Sequence, residues 1–213
     1  MKVIEPSATI LNKFDGVEVL KYIEALGRTC YKSEDKITDE SYKQFISNVM
    51  KRNHGSVLEQ FDITMRWICD RGVSHELVRH RLCSFLQEST RYCNYSKGKF
   101  GKEITFIKPC VYEEGTPLYQ LWYNACKDAE KAYLEILNFG GTPEQARDIL
   151  PISTKTEIVV KANLREWRHI FSLRCDFAAH PQMREIASKS LIEAHEALPI
   201  VFDDLYFKYI AES

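Results

Sequence analysis

The chain has 213 residues, and its 29 Lys and Arg against 30 Asp and Glu give a formal charge of −1. This excludes a surface that grips nucleic acid or anionic lipid over its whole extent, and it leaves any anion site to be local. Apolar residues at 45 % and charged residues at 28 % exclude a disordered chain and match a soluble globular one able to bury a core.

In chain order, residues 3–11 read as a short strand, and Val17, Leu20 and Ile23 then recur at helical spacing. Thr38 offers an N-cap with Asp39 and Glu40 in the first turn, ahead of a helix whose face is Tyr42, Phe45, Ile46, Val49 and Met50. A turn at 53–56 contains Gly55. Phe61, Ile63, Met65 and Trp67 then alternate with polar neighbours as in a half-buried strand, which Asp70-Arg71-Gly72 breaks. Ser74 offers a cap for a short helix to about Leu82, and residues 84–99 read as a polar loop. Ile104 and Phe106 form another strand.

Thr116-Pro117 starts a long helix, because proline lacks only an N–H that has no partner there. Its face is Leu118, Leu121, Trp122, Ala125, Ala129, Ala132, Tyr133 and Ile136, and Gly140-Gly141 ends it. Thr142-Pro143-Glu144-Gln145 has capping-box spacing and opens a helix that Pro151 stops. A strand covers residues 156–160, Asn163 caps the helix of Trp167 and Phe171, and a final long helix covers residues 181–198. The pattern predicts an α+β fold, an antiparallel or mixed sheet packed against long helices, in a single domain over 1–213.

The N-terminal MKVIEPSATI has no basic start followed by an apolar run, and no stretch of about 18 apolar residues occurs. Secretion and a membrane partner are therefore not expected. The seven cysteines are odd in number and form no C-x-x-C, so they read as reduced thiols of a cytoplasmic protein, each packed as a small hydrophobe. Trp67, Trp122 and Trp167 read as core, His54 and His180 as loop or packing residues, and residues 127–131 as the wet side of the long helix. His75 and His80 stand five apart, about 140° around a helix, which does not suit one metal ion, and no metal is expected.

The chemistry concentrates between Arg66 and Arg91, where Arg66, Arg71, Arg79, Arg81 and Arg91 stand beside Ser84, Gln87, Ser89 and Thr90. Guanidinium forks match phosphate oxygens, and hydroxyl and amide groups reach sugars and base edges, so the segment suits a nucleotide. A solvated arginine face is the plain alternative. A nucleic-acid-binding module and a nucleotide-binding regulator without catalysis are the competing functions. The neutral net charge speaks against the first, and turnover of a bound nucleotide would exclude the second.

Arg79-His80-Arg81, seven residues, then Ser89 with Arg91-Tyr92 resembles the signature of the flavin-dependent thymidylate synthases. Ser84-Phe85 and Glu88-Ser89-Thr90 extend the resemblance, as do His54, Ser56 and Glu59 upstream. Ala146-Arg147, Leu150-Pro151, Asn163, Arg165, Trp167 and Leu173-Arg174 continue it downstream. No G-x-G-x-x-G and no P-loop occurs, in keeping with a family that holds FAD without a Rossmann fold.

The resemblance implies reductive methylation of dUMP to dTMP, with 5,10-methylenetetrahydrofolate giving the methylene and NADPH-reduced FAD the hydride. It also implies a homotetramer with shared active sites and no cysteine nucleophile, Cys83 and Cys93 notwithstanding. By the same resemblance, Ser56, Arg79, His80, Arg81, Gln87, Asn163, Arg165 and His169 hold FAD. Glu76, Arg79, Gln87, Glu88, Ser89, Thr90, Arg91, Arg147 and Arg174 line the dUMP site, with Arg91 and Arg147 on the phosphate and Arg174 the catalytic residue at the uracil. The chain departs from the common family pattern at Glu76, where relatives often carry glutamine, at Gln87, where they carry glutamate, and at His169, where they carry asparagine.

Overall fold

The computed structural model describes residues 1–97 and 103–212. Its strands are β1 Lys2–Ile4, β2 Ser7–Ile10, β3 Asp62–Asp70, β4 Ser84–Gln87, β5 Thr105–Ile107 and β6 Lys155–Asn163. Its helices are α1 Gly16–Thr29, α2 Ser41–Lys51, α3 Arg71–Leu77, α4 Pro117–Asn138, α5 Pro143–Ala146, α6 Leu164–Arg174, α7 Pro181–Ala197 and α8 Pro199–Tyr206. The fold is α+β. β1 pairs in parallel with β5, and a four-stranded sheet has the order β2-β3-β6-β4. Among the described residues no helix is long and apolar enough to cross a membrane.

The chain falls into two compact units, the first made of Met1–Ser7, Trp67–Arg79 and Leu86–Ile158, the second of Ala8–Arg66, His80–Phe85 and Val159–Ser213. In the first, Tyr95, Ile104, Phe106, Cys126, Tyr133 and Ala146 form a buried cluster flanked by Trp122 and Leu150. In the second, α6 turns Trp167, Ile170 and Phe171 fully inward. Trp167 stacks on Phe171, Phe171 meets Phe202 edge to face, and the indole Nε1 donates to the Ile63 carbonyl at 2.9 Å. Each such side chain contributes roughly 1.5–3 kcal/mol, so α6 is held by packing and its polar face is left for chemistry. Ile170→Val removes one methylene from this core and is expected to cost about 1 kcal/mol in chemical denaturation with no change in slope.

Locally encoded ends form as expected. Thr116 accepts from Tyr119 N, both halves of the Thr142–Gln145 capping box are present, and Asn163 Oδ1 accepts from Glu166 N at 2.9 Å. Gly140 ends α4 with φ +90, a conformation open to glycine.

Other expectations are corrected. The strand at 3–11 is two strands in different sheets, split around Pro6, which has no N–H to give a ladder. α2 starts at Ser41, since Thr38 N donates to Ser41 Oγ in a turn ahead of it. Asp70, whose Oδ1 takes the Val73 N–H at 2.7 Å, caps α3 in place of Ser74, and that helix ends at Leu77. Ser74 lies buried inside it and donates to the Arg71 carbonyl.

The expected loop at 84–99 begins with edge strand β4, and its last residues, Gly98 and Lys99, lie outside the described residues. On α4, Leu118 and Leu121 are 61 % and 67 % exposed, and Cys126 and Tyr133 carry the burial. Glu130, read as part of a wet face, accepts from Ile104 N at 2.8 Å. Pro199 opens a further helix after α7. Trp67 and Trp167 are fully buried and Trp122 partly so, while Cys30 and Cys110 are exposed, unlike the packed thiols expected.

Candidate active site

The second unit holds Ser56, His80, Arg81, Asn163, Arg165, His169 and Arg174. α6 organises most of them. Asn163 caps it, so its oxygen satisfies a backbone N–H and its amide nitrogen is left to donate outward. Arg165 sits in the first turn, where the partial positive charge of the helix end adds to its own. The guanidinium reaches Glu59, Nη1 to Oε1 at 2.6 Å, by crossing over Gly55, where a Cβ would stand 2.7 Å from its Nε. Ser56 follows Gly55 and is exposed in the short helical segment Gly55–Gln60, whose Val57 and Leu58 are buried. His54 beside it accepts the Tyr31 hydroxyl or donates to it across 2.8 Å.

Further along α6, Glu166, His169 and Arg174 surround His80, which stands in the turn after α3. Arg174 Nε donates to His80 Nε2 at 3.0 Å, and His80 Nδ1 lies 3.4 Å from Glu166 Oε1. The His80 and His169 rings meet edge to face at 5.7 Å. Burial, then the Arg174 and His169 charges, push His80 down to about 4, so it is neutral at physiological pH. Burial also raises the Glu166 carboxyl, against the pull of His169 and Arg165. Cys83, near Glu166, is pushed up to about 12 by burial and by that carboxylate, so this thiol is no nucleophile at neutral pH. His80, Glu166 and His169 bring ligand atoms within 4.8 Å of one another. The Arg174 cation already occupies His80 Nε2 and opposes a second cation there.

The first unit holds Glu76, Arg79, Gln87, Glu88, Ser89, Thr90, Arg91 and Arg147. Arg79 and Gln87, which the resemblance gives to FAD as well as to dUMP, thus fall with the substrate set. Glu76 is half-buried on α3, and the exposed Arg79 follows the helix end, its N–H on the Glu76 carbonyl. Gln87 Nε2 donates to Ser74 Oγ at 2.9 Å and to Thr156 Oγ1 at 3.1 Å. Glu88 accepts the Tyr95 hydroxyl at 2.9 Å and Lys155 Nζ at 2.8 Å, and its N–H reaches the Glu157 carbonyl. Both carboxylate oxygens thus anchor the turn that follows. In that turn Ser89 Oγ accepts from Arg91 N, the Ser89 carbonyl accepts from Tyr92 N and Cys93 N, and Thr90 is buried.

Arg91 leaves this turn to meet Glu144, Nε to Oε1 at 2.7 Å, with both side chains about half exposed. Glu144 belongs to α5, immediately before the turn Arg147–Ile149, so the capping box brings the segment of Arg147 to Arg91. An exposed ion pair of this kind is worth about 1 kcal/mol or less, little enough for a phosphate to displace the carboxylate. Glu144→Gln is expected to tighten binding of a nucleoside monophosphate at Arg91 about two- to fivefold by removing that competition, as read by titration calorimetry.

Glu166, Glu144, Lys155 and Tyr95 contact the candidate residues His80, Arg91 and Glu88 and are not evident from the sequence. Asn163-x-x-Glu166 reads as a cap and its first turn, which hides the inward carboxylate. For Glu144 the acidic residue of a capping box had the same masking effect. Lys155 and Tyr95 have no local signal.

A family model described as thymidylate synthase complementing protein matches residues 15–200. A flavin-dependent thymidylate synthase of Pyrococcus abyssi is 36 % identical over 173 residues, 79 % of this chain and 70 % of that protein. One of Corynebacterium glutamicum is 32 % identical over 217 residues, 93 % of this chain and 83 % of the relative. In fold, the crystal structure of the UMP/dUMP methylase PolB from Streptomyces cacaoi bound with 5-Br dUMP superposes with a TM-score of 0.76, covering 98 % of both chains at 22 % identity. With the family model spanning α1 to the start of α8 and relatives above 30 % identity over most of their length, this chain belongs to the flavin-dependent thymidylate synthase family.

Proposed function

We propose that the chain converts dUMP to dTMP, with 5,10-methylenetetrahydrofolate as methylene donor and NADPH-reduced FAD as hydride source. The observation that carries this reading is the gathering of the cofactor set around α6: Asn163 at its cap, Arg165 over Gly55 and beside Ser56, and His169 against His80. Arginine forks, a hydroxyl, an amide and a helix N-terminus form a donor set that fits a dinucleotide's phosphates. Ser56, Arg79, His80, Arg81, Gln87, Asn163, Arg165 and His169 would hold FAD. When bound, FAD supplies the two-electron transfer from NADPH to the nucleotide.

The chain's own residues do the rest. Arg91 and Arg147 hold the dUMP phosphate, and Ser89 and Thr90 shape the turn beside it. Glu76, Arg79 and Gln87 line the pocket, Glu88 fixing its wall through Lys155 and Tyr95. Arg174 places a fixed cation where negative charge develops on the uracil, and its neutral partner His80 adds no second charge.

The active form on this reading is a homotetramer with active sites assembled from several subunits, each chain acting as one domain over 1–213. Exposed Leu82, Leu86 and Tyr92 within and beside the arginine motif support a partner surface there. Cytoplasmic location is supported by seven cysteines that are all free. The test is an anaerobic spectrum of the protein with FAD and NADPH, followed by dUMP and methylenetetrahydrofolate. Bleaching and then reoxidation coupled to dTMP is the expected result, and absence of both bound flavin and dTMP overturns the reading.

A further inference from the structure

His80 is buried with its two ring nitrogens facing groups of opposite kind. Arg174 Nε is a donor with no lone pair to offer, and that nitrogen lies 3.0 Å from His80 Nε2. Nε2 therefore presents a lone pair, the ring proton is on Nδ1, and Nδ1 faces Glu166 Oε1 at 3.4 Å. We infer that Glu166 is a positioning residue for the methylation: its carboxyl holds His80 in the Nδ1–H tautomer, and His80 in turn fixes the Arg174 guanidinium from its Nε side. This rests on the reading above that Arg174 serves the nucleotide.

The chain is laid out by α6 itself. Glu166 lies in its first turn, where its N–H is held by the Asn163 cap, and Arg174 ends it. His80 bridges the two on their common face. Without an acceptor at Nδ1 the ring is free to carry its proton on Nε2, which sets one N–H against another at Arg174 and releases the guanidinium. The other charged or titratable neighbours do not replace Glu166: Arg165 has only protons to offer, the Cys83 thiol beside Glu166 is a weak acceptor, and His169 meets the His80 ring edge to face at 5.7 Å between centroids. A protonated Glu166 still has an oxygen to accept from Nδ1, so the arrangement survives a raised carboxyl pKa. By the same logic glutamine serves in its place and alanine does not.

The experiment compares the unmodified FAD-loaded enzyme with Glu166→Ala and Glu166→Gln, by dTMP turnover and by 15N spectra of the labelled histidines. Unmodified enzyme is expected to show a proton-free Nε2 on His80. Glu166→Ala lowers kcat per bound flavin about tenfold and shifts His80 toward the Nε2–H form, whereas Glu166→Gln stays within about threefold of the unmodified enzyme on the same basis. A protonated Nε2 in the unmodified enzyme overturns the inference without any variant having to fold. So does a Glu166→Ala enzyme that loses turnover with its tautomer unchanged, since Glu166 then serves only packing. If the unmodified enzyme makes no dTMP, the functional reading fails separately, and the His80 spectrum still decides the hydrogen-bond chain.

Discussion

Arg174→Ala is expected to lower kcat/KM for dTMP formation by about 10²- to 10³-fold, the usual loss for one preorganised donor at a developing anion. The side chain has the features such a role needs. It is half-buried at the C-terminal end of α6, where the helix dipole favours a cation, and it is fixed through Nε by a histidine that stays neutral. A cation held in this way loses little by reorganising when charge appears on the ring. Arg174→Lys keeps the charge and loses the fork, so it should recover only part of the rate. Flavin content, read from the visible spectrum, should not change in either variant. Turnover near that of the unmodified enzyme in Arg174→Ala would remove Arg174 from the reacting ring and leave it a helix-terminal ion.

Features decided within one turn of chain are the ones legible in the sequence. The caps at Thr116, Thr142 and Asn163 need a side chain and a backbone N–H three residues on, and all three form. Where two local signals competed, the pattern misled: Asp70 and Ser74 both suit an N-cap, and the strand ending at Asp70 settles it by placing that carboxylate over the first turn. β4 was hidden because Ser-Phe-Leu-Gln has no apolar alternation, and only its pairing in the sheet makes it a strand. Leu118 and Leu121 satisfy a helical period yet stay exposed, since periodicity finds a face and not what covers it. The site divides in the same way. Its charged residues were visible as motifs, but their partners are set by tertiary structure: His80 for Arg174 is 94 residues away, Lys155 for Glu88 is 67, and Glu144 for Arg91 is 53.

Arg165→Ala is expected to weaken FAD binding about 10- to 100-fold, the worth of a charge-assisted hydrogen bond lost from a phosphate, measured by titrating flavin-free protein and following flavin fluorescence. The present partner of Arg165 does not compete strongly. Its bond to Glu59 is short at 2.6 Å, but the arginine side chain is 61 % exposed, so the pair is worth about 1 kcal/mol or less and yields to a doubly charged ligand. Gly55 separates charge from direction. A Cβ there would stand 2.7 Å from Arg165 Nε and 2.9 Å from its Cδ. Because these atoms belong to a flexible side chain, Gly55→Ala turns the guanidinium aside without removing it. Gly55→Ala should therefore fall between the unmodified protein and Arg165→Ala in flavin affinity, and Arg165→Lys should resemble Gly55→Ala, since each keeps the charge and loses the aimed fork. Equal affinity in all four proteins would mean that the N-terminal turn of α6 does not hold the cofactor. An effect in Arg165→Ala alone would mean that it is held there by charge without orientation.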